Sequence, residues 1–90
     1  MILATTHVTD WGRFWEHLST VGADKRAEHG CHGALVFRDD AAPDRAWIAF
    51  DWDEPGWQQF LRDPSVASGF AVAGRGTTPH ALTFLGAIEA

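Results

Sequence analysis

Residues 31–61 read CHGALVFRDDAAPDRAWIAFDWDEPGWQQFL, and this stretch decides the fold. It contains two apolar, partly alternating runs, His32 to Arg38 and Ala46 to Trp52, joined by the polar turn DDAAPD. Pro and Asp punctuate that turn. In the first run Leu35 and Phe37 fall on one face and Ala34 and Val36 on the other. The second run is apolar on both faces except for Asp51. Strands apolar on both faces are covered on both sides. Asp53 then stands as an N-cap, with Glu54 and Pro55 in the first turn of a helix whose apolar stripe is Trp57, Phe60 and Leu61.

Working outward, Ile2 to Val8 is short, apolar and β-branched, a strand. Thr9 and Asp10 can cap a helix in which Trp11, Phe14, Trp15, Leu18 and Val21 keep i, i+3, i+4, i+7 spacing. The spacing predicts one helix to about His29, with Gly30 as its left-handed stop. Pro64 stops or kinks the second helix, and 65–73 adds a helical turn or two. Gly74, Arg75 and Gly76 form a loop, and a last strand centres on 81–85. The order β-α-β-β-α-β is the ferredoxin-like split arrangement, a four-stranded antiparallel sheet with helices on one face. Helices cover only one face of such a sheet. A second copy packing sheet against sheet is the simplest way to cover the other, so a homodimer through the sheet faces is expected.

Ninety residues make a single domain, 1–90. Five Trp and six Phe are a large aromatic load for so small a core, which points to an interface or a ligand pocket. The formal charge is −5 and the basic residues are scattered, which argues against nucleic acid. No run approaches the roughly 20 apolar residues a membrane helix needs. One cysteine and no basic leader at the N-terminus suit a reducing, cytoplasmic setting.

The segments HGCHGALVFRD, PDRAWIAFDWDEPG and FLRDPSV resemble the dimeric α+β barrel superfamily. Within it, the chain is most similar to small antibiotic-biosynthesis-monooxygenase-like proteins, some labelled cyclases. The resemblance implies a homodimer with a cavity between sheet and helices in each subunit. It also implies oxidation of an aromatic or polyketide-type compound by O₂, with neither metal nor flavin cofactor. A non-catalytic or stress-associated binding dimer is the alternative. Haem-degrading relatives need an Asn on the first strand and a Trp and His later. The matching places hold Thr5 or Thr6, Phe60 and Phe70, which argues against haem. Quinone-forming relatives use Trp, Asn, Tyr and Arg groups, and this chain has neither Asn nor Tyr.

Setting the first and third strands antiparallel with His7 opposite Trp47 brings Leu3 opposite Asp51. One face then carries Leu3, Thr5, His7, Leu35, Phe37, Trp47, Ala49 and Asp51. A neutral imidazole near a carboxylate on an apolar surface is a general-base candidate, so His7 and Asp51 are the catalytic candidates. The plain alternative is a hydrogen-bonded His7 and an Asp51 paired with an arginine of the second copy. Trp15, Trp47, Trp57, Phe60 and Phe70 are candidates for a substrate wall, and Arg75 for an anionic substrate group. Each is equally explained by packing or, for Arg75, by solvation. His29, Cys31 and His32 form an H-x-C-H cluster at a helix stop. Three such close neighbours rarely converge on one ion, so no metal site is expected.

Overall fold

The computed structural model describes residues 1–67 and 80–89. Its elements are β1 (Ile2–His7), α1 (Trp11–Ser19), α2 (Val21–Glu28), β2 (Ala34–Asp39), β3 (Ala42–Phe50), α3 (Glu54–Arg62), α4 (Pro64–Ala67) and β4 (His80–Leu82). The strands form one antiparallel sheet in the order β2-β3-β1-β4. This is the ferredoxin-like α+β arrangement expected from the sequence.

Local chemistry explains each boundary. The Asp10 carboxylate accepts from the Arg13 N–H at 3.0 Å and caps α1. The expected single helix to His29 is broken at Thr20. There Ser19 and Thr20 donate their hydroxyls to the carbonyls of Trp15 and Glu16, both at 2.7 Å, in competition with continued helix. Gly22 lets α2 start against α1, because a Cβ there would lie 2.9 Å from the His17 carbonyl oxygen. Gly30, at φ 89°, is the expected left-handed stop. Asp53 accepts from the Gly56 N–H at 2.8 Å and caps α3 as the sequence indicated.

The β2–β3 turn is tighter than expected, and β3 begins at Ala42 rather than Ala46. Asp39 pairs with Ala42 while Arg38 pairs with Ala46, so Pro43, Asp44 and Arg45 are accommodated in a bulge. Two hydrogen bonds clamp the bulge from outside the hairpin. The Val8 N–H donates to the Asp44 carbonyl at 2.6 Å, and the Trp11 indole N–H to the Pro43 carbonyl at 2.9 Å.

The core lies between the helices and one sheet face. Ile2, Ala4, Ala46, Ile48 and Phe50 from the sheet meet Phe14, Leu18, Trp57, Phe60 and Val66 from the helices, with Trp52 beside them. Edge, tilted and stacked contacts join Phe50, Trp52, Trp57 and Phe60 at centroid distances of 5.1 to 6.2 Å. Arg26 is buried there. It donates to the Leu18 carbonyl at 2.7 Å and stands 5.5 Å from the centre of the Phe50 ring. Burial pulls its pKa below the ordinary arginine value. Among the described residues no helix covers the opposite sheet face, and Leu3, Leu35, Phe37 and Leu82 are exposed on it.

Candidate functional site

Among the described residues, two places have the composition of a small-molecule site. The first is the uncovered sheet face. Cross-strand pairing arranges its side chains in rows. One row runs Leu35, Ala49, Leu3, Leu82, and the next runs Phe37, Trp47, Thr5, His80. A third pairs Arg45 with His7. The face is thus apolar at one end and polar at the other, with Trp47 between.

The polar end is held by three hydrogen bonds and one histidine–carboxylate contact. His7 Nδ1 lies 3.2 Å from Asp44 Oδ2. Arg45 Nη1 donates to Thr5 Oγ1 at 2.9 Å, and that hydroxyl donates to the Ala46 carbonyl at 3.0 Å. The Trp47 indole N–H donates to Asp39 at 3.0 Å. That bond, then the Ala41 N–H, holds the Asp39 carboxyl below its ordinary pKa, with a smaller contribution from the charge of Arg45.

The expected register of β1 on β3 is corrected here. His7 stands opposite Arg45, not Trp47, and Leu3 opposite Ala49, not Asp51. The bulge at 43–45 takes up chain that the sequence reading had assigned to the turn. The shift is two residues, so every side chain keeps its predicted face. Asp51 keeps that parity but stands one residue past the end of β3. Its N–H donates to the Gly33 carbonyl and its carbonyl accepts from the His32 N–H, and its side chain is exposed beyond the end of β3. Arg45 and Asp51 are six positions apart on one extended segment, about 20 Å. His7 and Asp51 are therefore not brought together. Asp44, read only as a turn residue, stands against His7 instead.

The second place is a cleft of about 1030 Å³ between α3 and the β1–β4 edge. Trp57, Leu61, Ile2 and Ala81 line it with Leu82 and Phe84, and Glu54, Gln58 and His80 supply polar groups. The Gln58 amide donates to Glu54 Oε1 at 2.9 Å, turning two polar groups of one helix face toward each other. The volume is at the upper end of ordinary ligand pockets.

The aromatic candidates separate. Trp57 lines the cleft, while Trp47 lies half-buried on the other side of the sheet. Phe60 is core, packed on Trp52 and against the His29 ring. Trp15 is 58% exposed, because Phe14 and Leu18 take the core-facing side of α1. The expectation that Trp15 faces the sheet is therefore corrected. Phe70 and Arg75 lie outside the described residues.

Among the described residues, Glu28, His29 and Asp63 form the one group with metal-ligand character, their ligand atoms within 4.8 Å of one another. Lys25 already bridges it, 3.2 Å from Glu28 and 3.6 Å from Asp63. His29 adds a contact of 3.2 Å to Asp63. The group is a four-residue ion network tying α2 to the α3–α4 junction. Cys31 and His32 are not in it, and the Cys31 thiol points to the Gly33 carbonyl.

Comparison with known proteins agrees with this architecture. No family model matches the chain, and no curated protein does. Among solved structures, it superposes on a candidate antibiotic biosynthesis monooxygenase from Deinococcus radiodurans with a TM-score of 0.56 and 17% identity, over 100% of this chain and 98% of that one. A second such candidate, from Chloroflexus aurantiacus J-10-fl, aligns with a TM-score of 0.52 and 22% identity, over 98% and 94% of the chains. The chain therefore has the fold of antibiotic-biosynthesis-monooxygenase-like α+β proteins. At these identities the likeness is one of fold.

Proposed function

We propose that this chain is a homodimer that binds a planar, largely apolar small molecule and oxygenates it with O₂. The observation that carries the reading is the cleft beside α3, large enough for a fused-ring compound and walled by Trp57, Leu61 and Ile2 with few polar anchors. The name shared by the two fold neighbours supplies the reaction class by analogy of fold. In such a reaction the substrate supplies the electrons. A ring methylene becomes a carbonyl with one oxygen atom of O₂, and the other leaves as water with the two methylene hydrogens.

The homodimer reading rests on the uncovered face. Leu35 is 63% exposed and its row continues through Leu3 and Leu82, with Phe37, 54% exposed, in the next row. An apolar sheet face of this extent is unusual on a monomer. Packing against its equivalent in a second copy would bury it and close a barrel.

A second reading, a binding protein without turnover, is favoured by one observation: neither His7 nor Asp51 lines the cleft. One experiment separates the two. Anthrone or a substituted hydroquinone is titrated against the protein, and tryptophan emission and dissolved O₂ are followed together. The enzyme reading expects quenching with O₂ uptake and a quinone product. Quenching with the compound recovered unchanged supports the binding protein. No quenching, or quenching unaltered in Leu61→Trp, removes the cleft as the site.

A further inference from the structure

We infer that the cleft beside α3 is complete only in the dimer. Residues 83–89 pack against a second copy of the chain, and that contact fixes the outer wall of the cleft, so ligand binding and dimerisation strengthen each other. The inference rests on the cleft and dimer readings above, and its test separates their failure from its own.

Three residues serve two surfaces. Leu3 and Leu82 stand side by side in the apolar row of the uncovered sheet face, and both also line the cleft. His80 does the same from the next row. The cleft therefore opens at the edge of the face that a second copy would cover.

Past Leu82 the chain leaves the sheet. Residues 83–89 belong to no strand or helix, and among the described residues no hydrogen bond or ion pair holds 84–89. Yet Thr83, Phe84 and Leu85 form one wall of the cleft. Phe84 is 82% exposed, Leu85 96% and Ile88 96%, so this wall has solvent on its outer side. Apolar side chains exposed in such a cluster mark a contact surface. Phe84 and Ile88 share the parity of Leu82, so the stretch, continued in extended form, prolongs the apolar face beyond the ladder.

Two considerations make the occupant a second copy. Four strands about 4.8 Å apart and about six residues long cover roughly 400 Å². Two such faces bury about 800 Å², short of the roughly 1,200 Å² at which stable specific interfaces begin. Phe84, Leu85 and Ile88 supply the missing area, since one aromatic ring alone adds about 150 Å² or more. The row Leu35, Ala49, Leu3, Leu82 and the stretch Thr83 to Ile88 also contain no charged side chain. A two-fold pairing of identical surfaces there brings no like charges together, although each copy carries −5. In a single chain the ligand must order the wall itself, at a cost in affinity, whereas in the dimer the wall is already fixed. The coupling is reciprocal, and with two clefts per dimer a preference of about 10-fold at each becomes about 100-fold in the dimer dissociation constant.

Anthrone under nitrogen is the probe, followed by tryptophan emission, with sedimentation reporting mass. Saturating anthrone should lower the dimer dissociation constant of the native chain about 100-fold. Phe37→Asp charges the far edge strand and is expected to give single chains. It should bind anthrone about 10-fold more weakly than the native dimer, although Phe37 does not line the cleft. Ile88→Asp, also outside the cleft lining, should weaken both dimer and binding, and raising the protein concentration until the dimer returns should restore the affinity. Val21→Ser, exposed on α2, should leave both unchanged. Chymotrypsin reads the stretch itself: cleavage after Phe84 and Leu85 should be about 10-fold slower in the native dimer than in Phe37→Asp. Equal anthrone affinity in single chains and dimers overturns the inference and leaves the cleft standing. Equal cleavage in the two forms overturns it and leaves the dimer standing. Absence of quenching at every protein concentration removes the cleft reading, and a native chain that sediments only as a single chain removes the dimer; either result takes the inference with it.

Discussion

The Trp52 indole N–H donates to the carbonyl of His29 at 2.8 Å, joining the end of β3 to the stop of α2. The bond runs across Gly56. A Cβ at that position would sit closer to Trp52 Nε1 and to the His29 oxygen than van der Waals contact permits. The glycine is thus required by a neighbouring side chain and backbone, in the first turn of α3.

Gly56→Ala should therefore destabilise the protein by about 2 kcal/mol through overpacking. In an open helix the same change usually stabilises by about 1 kcal/mol. Urea unfolding decides between the two signs.

Asp63 gives a pH dependence. The Ser65 hydroxyl, then His29, the Ser65 N–H and Lys25 hold its carboxyl well below the ordinary value of 3.8. A depressed carboxyl pKa contributes stability above the unfolded value, and that stability is lost as pH falls through the folded one. The native chain should lose melting temperature steeply below about pH 4. Asp63→Asn should melt lower than the native chain at pH 7 and show a smaller drop between pH 7 and pH 3. Parallel melting curves for the two proteins would refute this assignment.

The uncovered face gives a contrast between two aromatic residues of similar exposure. Phe37→Asp should reduce the sedimenting mass to that of one chain at micromolar concentration, because it charges the centre of the proposed interface. Trp15→Ser, on the helix side, should leave the mass at two chains. Equal behaviour of the two variants would argue against the sheet-face dimer.

Thr5 links the bulge to the sheet interior by accepting from Arg45 and donating to Ala46. Thr5→Val keeps the shape and removes both bonds. It should cost about 1 to 2 kcal/mol, as for a buried group that leaves its partners unsatisfied. Chemical denaturation of the purified variant measures it.

The architecture was legible because its signals are local and repeated. The helix stripe of Phe14 and Leu18, the Asp53 cap and the Gly30 stop are each decided by a few neighbours in sequence. The alternation of Leu35 with Val36, and of Trp47 with Ile48, fixed the faces even though the register was misjudged, since a two-residue slip preserves parity. What was not legible depends on tertiary accommodation. The bulge at 43–45 is stabilised by Val8 and Trp11, far away in sequence, so DDAAPD read as a plain turn and Asp44 was passed over. The burial of Arg26 depends on Leu18 and Phe50, and its sequence setting is that of a solvated helix face. Trp15 fitted the apolar spacing and still points outward, because one narrow stripe suffices for a helix that packs on a small sheet.

The strand order also bears on how the chain reaches this state. β2 and β3 are joined by a tight turn, whereas β1 must find β3 across more than thirty intervening residues, and β4 must then find β1. Loop closure favours the local pairing first. The hairpin that carries Phe37 and Trp47 would then exist for a time with both faces uncovered. Charged residues at its ends, Arg38, Asp39 and Asp44, oppose edge-to-edge association during that interval. Neutralising them should lower the yield of refolding at high protein concentration more than it changes the final stability. The residues that give this hairpin its polar end would in that way also protect the molecule before it is folded.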